Sequence, residues 1–353
     1  MLSVKKVAES CVSSSKLERI PSKYMYLKNK SDEDSSVILC DEEAQNITIP
    51  TIDFSHLISS NPTQRSKEIQ QLGRACTDWG FFMLINHGVP ETLREEVLRA
   101  CKGFYDLPEE YKKQYEGGDI FAPIKCGTSF NANVEKTFLW RDYLKCHVHP
   151  HFHAPSNPQG FSETTEAYCK KSREVIGELL KGISISLGQE ENYIHKVMNI
   201  ESGFQMMVVN FYPRCPMPDQ AMGLPPHSDH GLLTLLLQNE LEGLQLLRND
   251  MWIPIHPLPN SFIVNTGDHM EILTNGKYKS NIHRAIVNKN ATRITIGTAH
   301  GPPLDAVVGP ATELIGEDNP PAYRAIKYKD YMRLQQSKEL DGKSCLGHVR
   351  ISI

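Results

Sequence analysis

The chain has 353 residues, a net charge of −4, and hydrophobic, aromatic and charged fractions of 40%, 8% and 23%. These values are those of an ordinary globular protein and exclude a disordered or fibrous chain. No run of Lys and Arg calls for nucleic acid or an anionic membrane, and no apolar stretch approaches the length of a membrane span. Nine cysteines without a CxxC pair, and an N-terminus without a signal-peptide core, fit reduced thiols in the cytoplasm. The expected partner is a small molecule, and the expected working unit is a monomer.

Residues 1–48 are polar, with dense charge over 28–36, and read as a loosely ordered leader. Order is expected from Ile49, in a short strand through Phe54. Residues 66–78 follow as a helix with Ile69, Leu72 and Cys76 on one face. Phe81-Phe82-Met83-Leu84-Ile85 reads as a buried strand, and a second helix from Glu91 carries Val97, Cys101 and Phe104 inward. The stretch 115–160 is rich in Gly, Pro, His and Asn and predicts loops and short strands. A long helix over 163–187 buries Val175, Ile176, Leu179, Leu180 and Ile183 and stops at Gly188.

After Glu201 the pattern changes to short β-rich runs at 204–211, 232–237, 244–247, 252–255, 261–266, 285–288 and 293–299. Arg248-Asn249-Asp250 between two of them predicts a hairpin. A tail helix is expected over 328–338. The fold class is therefore mainly β with flanking helices, around a jelly-roll core. The divisions are the leader (1–48), an N-terminal helix and strand region (49–150), a connecting helix (151–200), the β core (201–305) and a helical tail (306–353).

With 14 histidines, a single one means little. His87, His147, His149, His151 and His153 read as hydrogen-bonded structural residues. His227-Ser228-Asp229 is different, because residues i and i+2 of an extended segment project to the same side. An imidazole and a carboxylate can then reach one cation, with His283 as third ligand candidate. Two His and one carboxylate on an octahedral face leave positions open, which suits Fe(II) oxygenases rather than a closed zinc site. Arg293 and Thr295 begin ten positions after His283 and share a strand face. Together they suit the distal carboxylate of a dicarboxylic co-substrate.

Several stretches carry a resemblance. They are Asp78-Trp79-Gly80-Phe81-Phe82 with Asn86-His87-Gly88, Asn210-Phe211-Tyr212-Pro213, Gly223-Leu224-Pro225-Pro226-His227-Ser228-Asp229, Leu244-Gln245, Gly267-Asp268, Asn275 through Ala285, and Arg293-Ile294-Thr295. The chain resembles the plant 2-oxoglutarate- and Fe(II)-dependent dioxygenases of specialised metabolism. Thr128-Ser129-Phe130-Asn131 and Trp140-Arg141-Asp142-Tyr143 are similar to the branch with flavanone hydroxylases and downy-mildew-resistance-like oxygenases.

The resemblance implies a double-stranded β-helix and iron ligation by His227, Asp229 and His283. It also implies that Arg293, Thr295 and Tyr212 hold the far carboxylate of 2-oxoglutarate, and that Asn210 contacts the near one. The expected reaction is oxidation, chiefly hydroxylation, of a phenolic, flavonoid, alkaloid or hormone precursor, releasing succinate and CO2, with ascorbate as reductant. Two alternatives stay open at this point: an iron oxidase using ascorbate in place of 2-oxoglutarate, and a non-catalytic binding protein on the same scaffold. The substrate pocket is expected to draw on Phe130, Asn131, Phe211 and Ala299. At 299 many relatives carry an aromatic; the missing ring leaves space unless Phe130, Phe211 or Met270 fills it.

Overall fold

The two-residue period of the long strands sorts side chains onto two faces, and each face has a different use. The computed structural model describes residues 3–13, 19–26, 48–132, 134–337 and 340–351. Its strands are β1 (Thr51–Asp53), β2 (Phe81–Ile85), β3 (Ile124–Thr128), β4 (Asp142–His149), β5 (Gln205–Tyr212), β6 (Leu224–His227) and β7 (Leu233–Gln238). They continue with β8 (Leu244–Arg248), β9 (Met251–Pro254), β10 (Phe262–Thr266), β11 (His283–Ala285), β12 (Arg293–His300), β13 (Val307–Val308) and β14 (Ile326–Lys327). The helices are α1 (Val4–Ser13), α2 (Phe54–Leu57), α3 (Pro62–Asp78), α4 (Glu91–Asp106), α5 (Glu109–Lys113), α6 (Phe161–Ser186), α7 (Tyr193–Val197), α8 (Asp268–Leu273), α9 (Tyr328–Gln336) and α10 (Ser344–Val349).

The larger sheet has the order β1-β2-β10-β7-β12-β5-β4-β3, and the smaller one β6-β11-β8-β9. One face of the larger sheet packs against helices. Met207, Val209 and Phe211 of β5 and Ile294 and Ile296 of β12 join Ile69 and Leu72 of α3, Val97 and Phe104 of α4, and Leu179 and Ile183 of α6 in one core. Each aliphatic side chain buried there contributes roughly 1.5–3 kcal/mol. The alternate residues of the same strands, Asn210 and Tyr212 on β5 and Arg293 and Thr295 on β12, line a cavity whose opposite wall comes from the smaller sheet. Two facing sheets of mostly antiparallel strands form the expected jelly roll.

The expected hairpin is present. Asn249 and Asp250, both at positive φ, join β8 to β9, with Arg248 paired to Met251. Such a two-residue turn matches the twist of its flanking strands. The long helix ends where expected, with Gly188 at φ +79 beyond it. The helix expected from 66 begins at Pro62, because Asn61 caps the Thr63 and Gln64 amides and Pro needs no donor at the first turn. The strand expected over 285–288 lies at His283–Ala285 instead, where both β6 and β8 supply partners.

The leader also departs from the expectation of loose order. Val4–Ser13 is helical, with Val4 and Ala8 buried among Tyr24, Trp140, Tyr212 and Cys215. The Asp142 carboxylate accepts from the backbone amides of Val4 and Lys5, both at 2.9 Å, so the first turn of α1 is capped from across the fold. The charged stretch 28–36 lies outside the described residues.

Candidate active site

His227 and His283 are 56 positions apart in the chain and are direct partners across β6 and β11. Asp229 follows two positions after His227, and its Oδ1 lies 3.9 Å from Nε2 of each histidine. All three donor atoms fall within 4.8 Å of one another, which makes this the group of three that can hold a metal ion among the described residues. On His227, Nδ1 faces the Pro225 carbonyl at 2.8 Å. A proton on Nδ1 donates to that carbonyl and leaves the Nε2 lone pair for a cation. Nδ1 of His283 faces the Asn281 carbonyl at 3.3 Å in the same sense.

Electrostatics hold the group in its ligating form. Burial, and then the neighbouring His283, push the His227 imidazolium pKa well below its usual value, so the ring is neutral. Burial alone would raise the Asp229 pKa. The adjacent His283 and His227 and the hydrogen bond from Asn265 outweigh it and keep the carboxylate ionised. Asn265 Nδ2 donates to Asp229 Oδ2 at 2.8 Å. The loop behind is tightly packed: a Cβ on Gly267 would sit 2.2 Å from the Gly231 carbonyl oxygen, so only glycine fits there.

Arg293 lies in the same cavity and is 2% exposed. Its Nη2 donates to Gln238 Oε1 at 2.5 Å and its Nε to the Leu241 carbonyl at 3.2 Å, and the guanidinium sits over the Tyr212 ring at 5.5 Å. No carboxylate among the described residues forms an ion pair with it. A buried cation with only neutral partners is costly, and an anionic ligand removes that cost. Asn210 and Thr295 are adjacent across β5 and β12, with Asn210 Nδ2 donating to Thr295 Oγ1 at 3.1 Å. Asn210 Oδ1 is buried and has no hydrogen-bond partner. The donor set of two imidazoles and one carboxylate, with this cationic end nearby, fits Fe(II) and a dicarboxylate.

The cavity measures about 970 Å³, counting its open mouth. Phe130 and Ala299 line it. Asn131 does not; its side chain donates to the Gln336 carbonyl at the end of α9. Phe211 is the clear correction. Alternation along β5 places it between two cavity residues and therefore on the opposite face, where its ring lies 4.7 Å from that of Tyr105. Met270 is buried in the same core, so neither residue fills the space at Ala299. Met206, the direct partner of Ala299 on β5, is the neighbour that lines the cavity.

Four contributors were missed in the sequence. Asn265 is the polar residue of the otherwise apolar run Phe262-Ile263-Val264, and that contrast was the available signal. Lys145 lies between Leu144 and Cys146 of β4. Gln335 and Gln336 come from α9, which closes one side; Gln335 Nε2 donates to the Ser228 carbonyl between the two candidate ligands. Of the set-aside histidines, His87 bonds the Asn260 carbonyl and the Val89 amide, and His149 the Glu201 carbonyl.

Comparison with known proteins agrees with this geometry. Residues 203–302 match the family model of the 2OG-Fe(II) oxygenase superfamily, and residues 49–166 match that of the non-haem dioxygenase in morphine synthesis N-terminal region. The chain is 45% identical to 2-oxoglutarate-dependent dioxygenase 19 of Oryza sativa subsp. japonica, over 86% of this chain and 90% of the relative. It is 36% identical to Protein DMR6-LIKE OXYGENASE 2 of Arabidopsis thaliana, over 95% of each. The solved structure of JOX2 in complex with 2OG, Fe and JA superposes with a TM-score of 0.86 at 29% identity, covering 100% of this chain and 98% of that one. Both halves of the site thus sit in matched domains, and the chain belongs to the 2-oxoglutarate- and Fe(II)-dependent dioxygenases, which oxidise small organic molecules.

Proposed function

We propose that His227, Asp229 and His283 hold the iron, and that Arg293, Tyr212, Thr295 and Asn210 hold 2-oxoglutarate. The observation that carries the co-substrate assignment is the buried Arg293 guanidinium, which has only neutral partners and opens onto the same cavity as the triad. Bound iron supplies O2 activation coupled to decarboxylation of 2-oxoglutarate. The protein's own part is placement. Arg293 anchors the distal carboxylate by its fork, Asn265 fixes the Asp229 carboxylate, and the apolar walls exclude water. The organic substrate occupies the end lined by Phe130, Lys145, Met206 and Ala299, and its main fate is hydroxylation.

Buried thiols without a disulfide, such as Cys76, Cys101 and Cys146, support a reducing, cytoplasmic setting. No helix among the described residues is long and apolar enough to cross a membrane.

The test is reconstitution with Fe(II), ascorbate, O2 and a panel of phenolics, flavonoids, alkaloids and hormone precursors. Succinate should form in step with a product that has gained one oxygen atom. The Asp229→Ala protein should keep its fold and lose both. Turnover by that variant, or turnover without 2-oxoglutarate, would refute the assignment.

A further inference from the structure

The residues facing the cavity from the β4 edge do not suit a neutral substrate. Arg141, just before β4, and Lys145 within it both line the cavity, with Tyr143 between them. The Arg141 guanidinium and the Lys145 ammonium each lie 5.2 Å from the Tyr143 ring centroid, and the ammonium is also 5.0 Å from that of Phe130. Arg141 Nη2 donates to the Ser129 carbonyl at 2.8 Å, and its buried Nε has no partner. Lys145 Nζ donates to Gln336 Oε1 at 2.6 Å. Neither forms an ion pair among the described residues.

The charges at the iron end of the cavity are already matched. Ferrous iron and Arg293 bring three positive charges, against one on Asp229 and two on 2-oxoglutarate. Arg284 is on the other sheet, bonded to Gln245 and stacked on Trp252. Two cations therefore remain at the substrate end with no carboxylate to meet them. Aromatic faces and an amide oxygen stabilise a cation only in part. Burial, with the like charges of Arg141 and Lys125, pushes the Lys145 pKa down to about 7, the mark of an ammonium lacking a counter-charge. A structural role as an anchor for α9 would need only the hydrogen bond to Gln336. It does not call for a second cation beside it.

We propose that Lys145, with Arg141 beside it, is the counter-charge for an acidic group on the organic substrate. The substrate is accordingly a small organic acid with an apolar body. Its carboxylate meets Lys145, its ring packs against Phe130, and its reacting carbon points toward the triad. This rests on the reading in which Arg293 takes 2-oxoglutarate.

The test uses pairs that differ only in charge: benzoate, phenylacetate, cinnamate and 1-naphthoate, each beside its primary amide. Binding to the full chain loaded with Fe(II) and 2-oxoglutarate is measured by anaerobic calorimetry. At least one acid should bind about tenfold or more tightly than its amide, as expected for a charged hydrogen bond in a cavity. Lys145→Met should erase that preference and Lys145→Arg should retain most of it, with 2-oxoglutarate affinity the same in all three proteins. The comparison on the unmodified protein stands even if Lys145→Met does not fold. If no acid outbinds its amide, including the case where nothing binds, or if the preference survives in Lys145→Met, the assignment is overturned. A protein that fails to bind 2-oxoglutarate overturns the reading beneath it as well. One that binds 2-oxoglutarate without an acid preference overturns this inference alone.

Discussion

Asn265 Nδ2 and Asp229 Oδ2 are 2.8 Å apart, and this hydrogen bond leaves Asp229 Oδ1 facing both imidazoles. Partners of metal ligands typically contribute 10–100-fold to metal affinity. Asn265→Ala should therefore weaken iron binding by about that factor, while 2-oxoglutarate binding at saturating metal stays close to normal. Titration of the metal-free protein with Fe(II), followed by succinate formation, measures it. An unchanged iron requirement would show that Asp229 is oriented by its backbone alone.

Arg293→Lys keeps the charge and loses the fork. Lysine offers a point charge where the carboxylate of the co-substrate meets a planar pair of donors. The 2-oxoglutarate concentration for half-maximal turnover should rise by about an order of magnitude or more, since hydrogen bonds to charged groups contribute about 1.5–3 kcal/mol. The affinity for the organic substrate should change little. The reverse pattern would assign Arg293 to the other ligand.

Ala299→Phe places a ring on the cavity face between Met206 and Thr234. If the substrate uses that space, its turnover should fall at least about tenfold while 2-oxoglutarate affinity holds, and succinate should form out of step with product. Steady-state kinetics of both substrates on one preparation decide it. Unaltered kinetics for the organic substrate would mean that the pocket ends short of position 299.

Acid should destabilise the iron-free protein well above the carboxylate range. Burial pushes His87 and His147 down to about 4 and His269 and His300 down to about 3, against an ordinary value of 6.5. Between those limits the unfolded chain binds more protons at these positions than the folded one. Stability is therefore full above about pH 6.5 and is lost as the pH falls toward 4. Asp268, whose carboxyl burial holds up to about 6, and Asp142, also raised by burial, act in the opposite sense, but they are two groups against four. Thermal melts from pH 7.5 to 4.5 should show a steep fall in Tm. A flat profile would mean that these imidazoles are hydrated or paired in solution.

The triad was legible because ligand chemistry fixes residue type, and the strand period fixes which residues share a side. His227 and Asp229 illustrate both. The same period, applied one residue further along β5, would have removed Phe211 from the pocket, since Asn210 and Tyr212 had already been assigned to the cavity. The contributions of Asn265, Lys145 and Gln335 depend on which strands and helices become neighbours. That is a long-range outcome that spacing alone does not encode, although each is a polar residue on a buried surface. Helix α1 was hidden for a different reason. Half of its residues are polar or charged, and Asp142, which caps its first turn, comes more than a hundred positions later.

Alternation on β5 and β12 also bears on how such an enzyme changes over generations. Val208, Gly297 and Ala299 line the cavity, while Val209 and Ile296, their neighbours in the chain, are buried in the core behind the sheet. A substitution at an odd position of β12 can alter the preferred molecule without loosening the helical layer behind the sheet, and one at an even position does the reverse. New substrates can thus be acquired by single steps on an unchanged frame. The limit is the Arg293 end of the same strand, where the shared co-substrate leaves no freedom to vary.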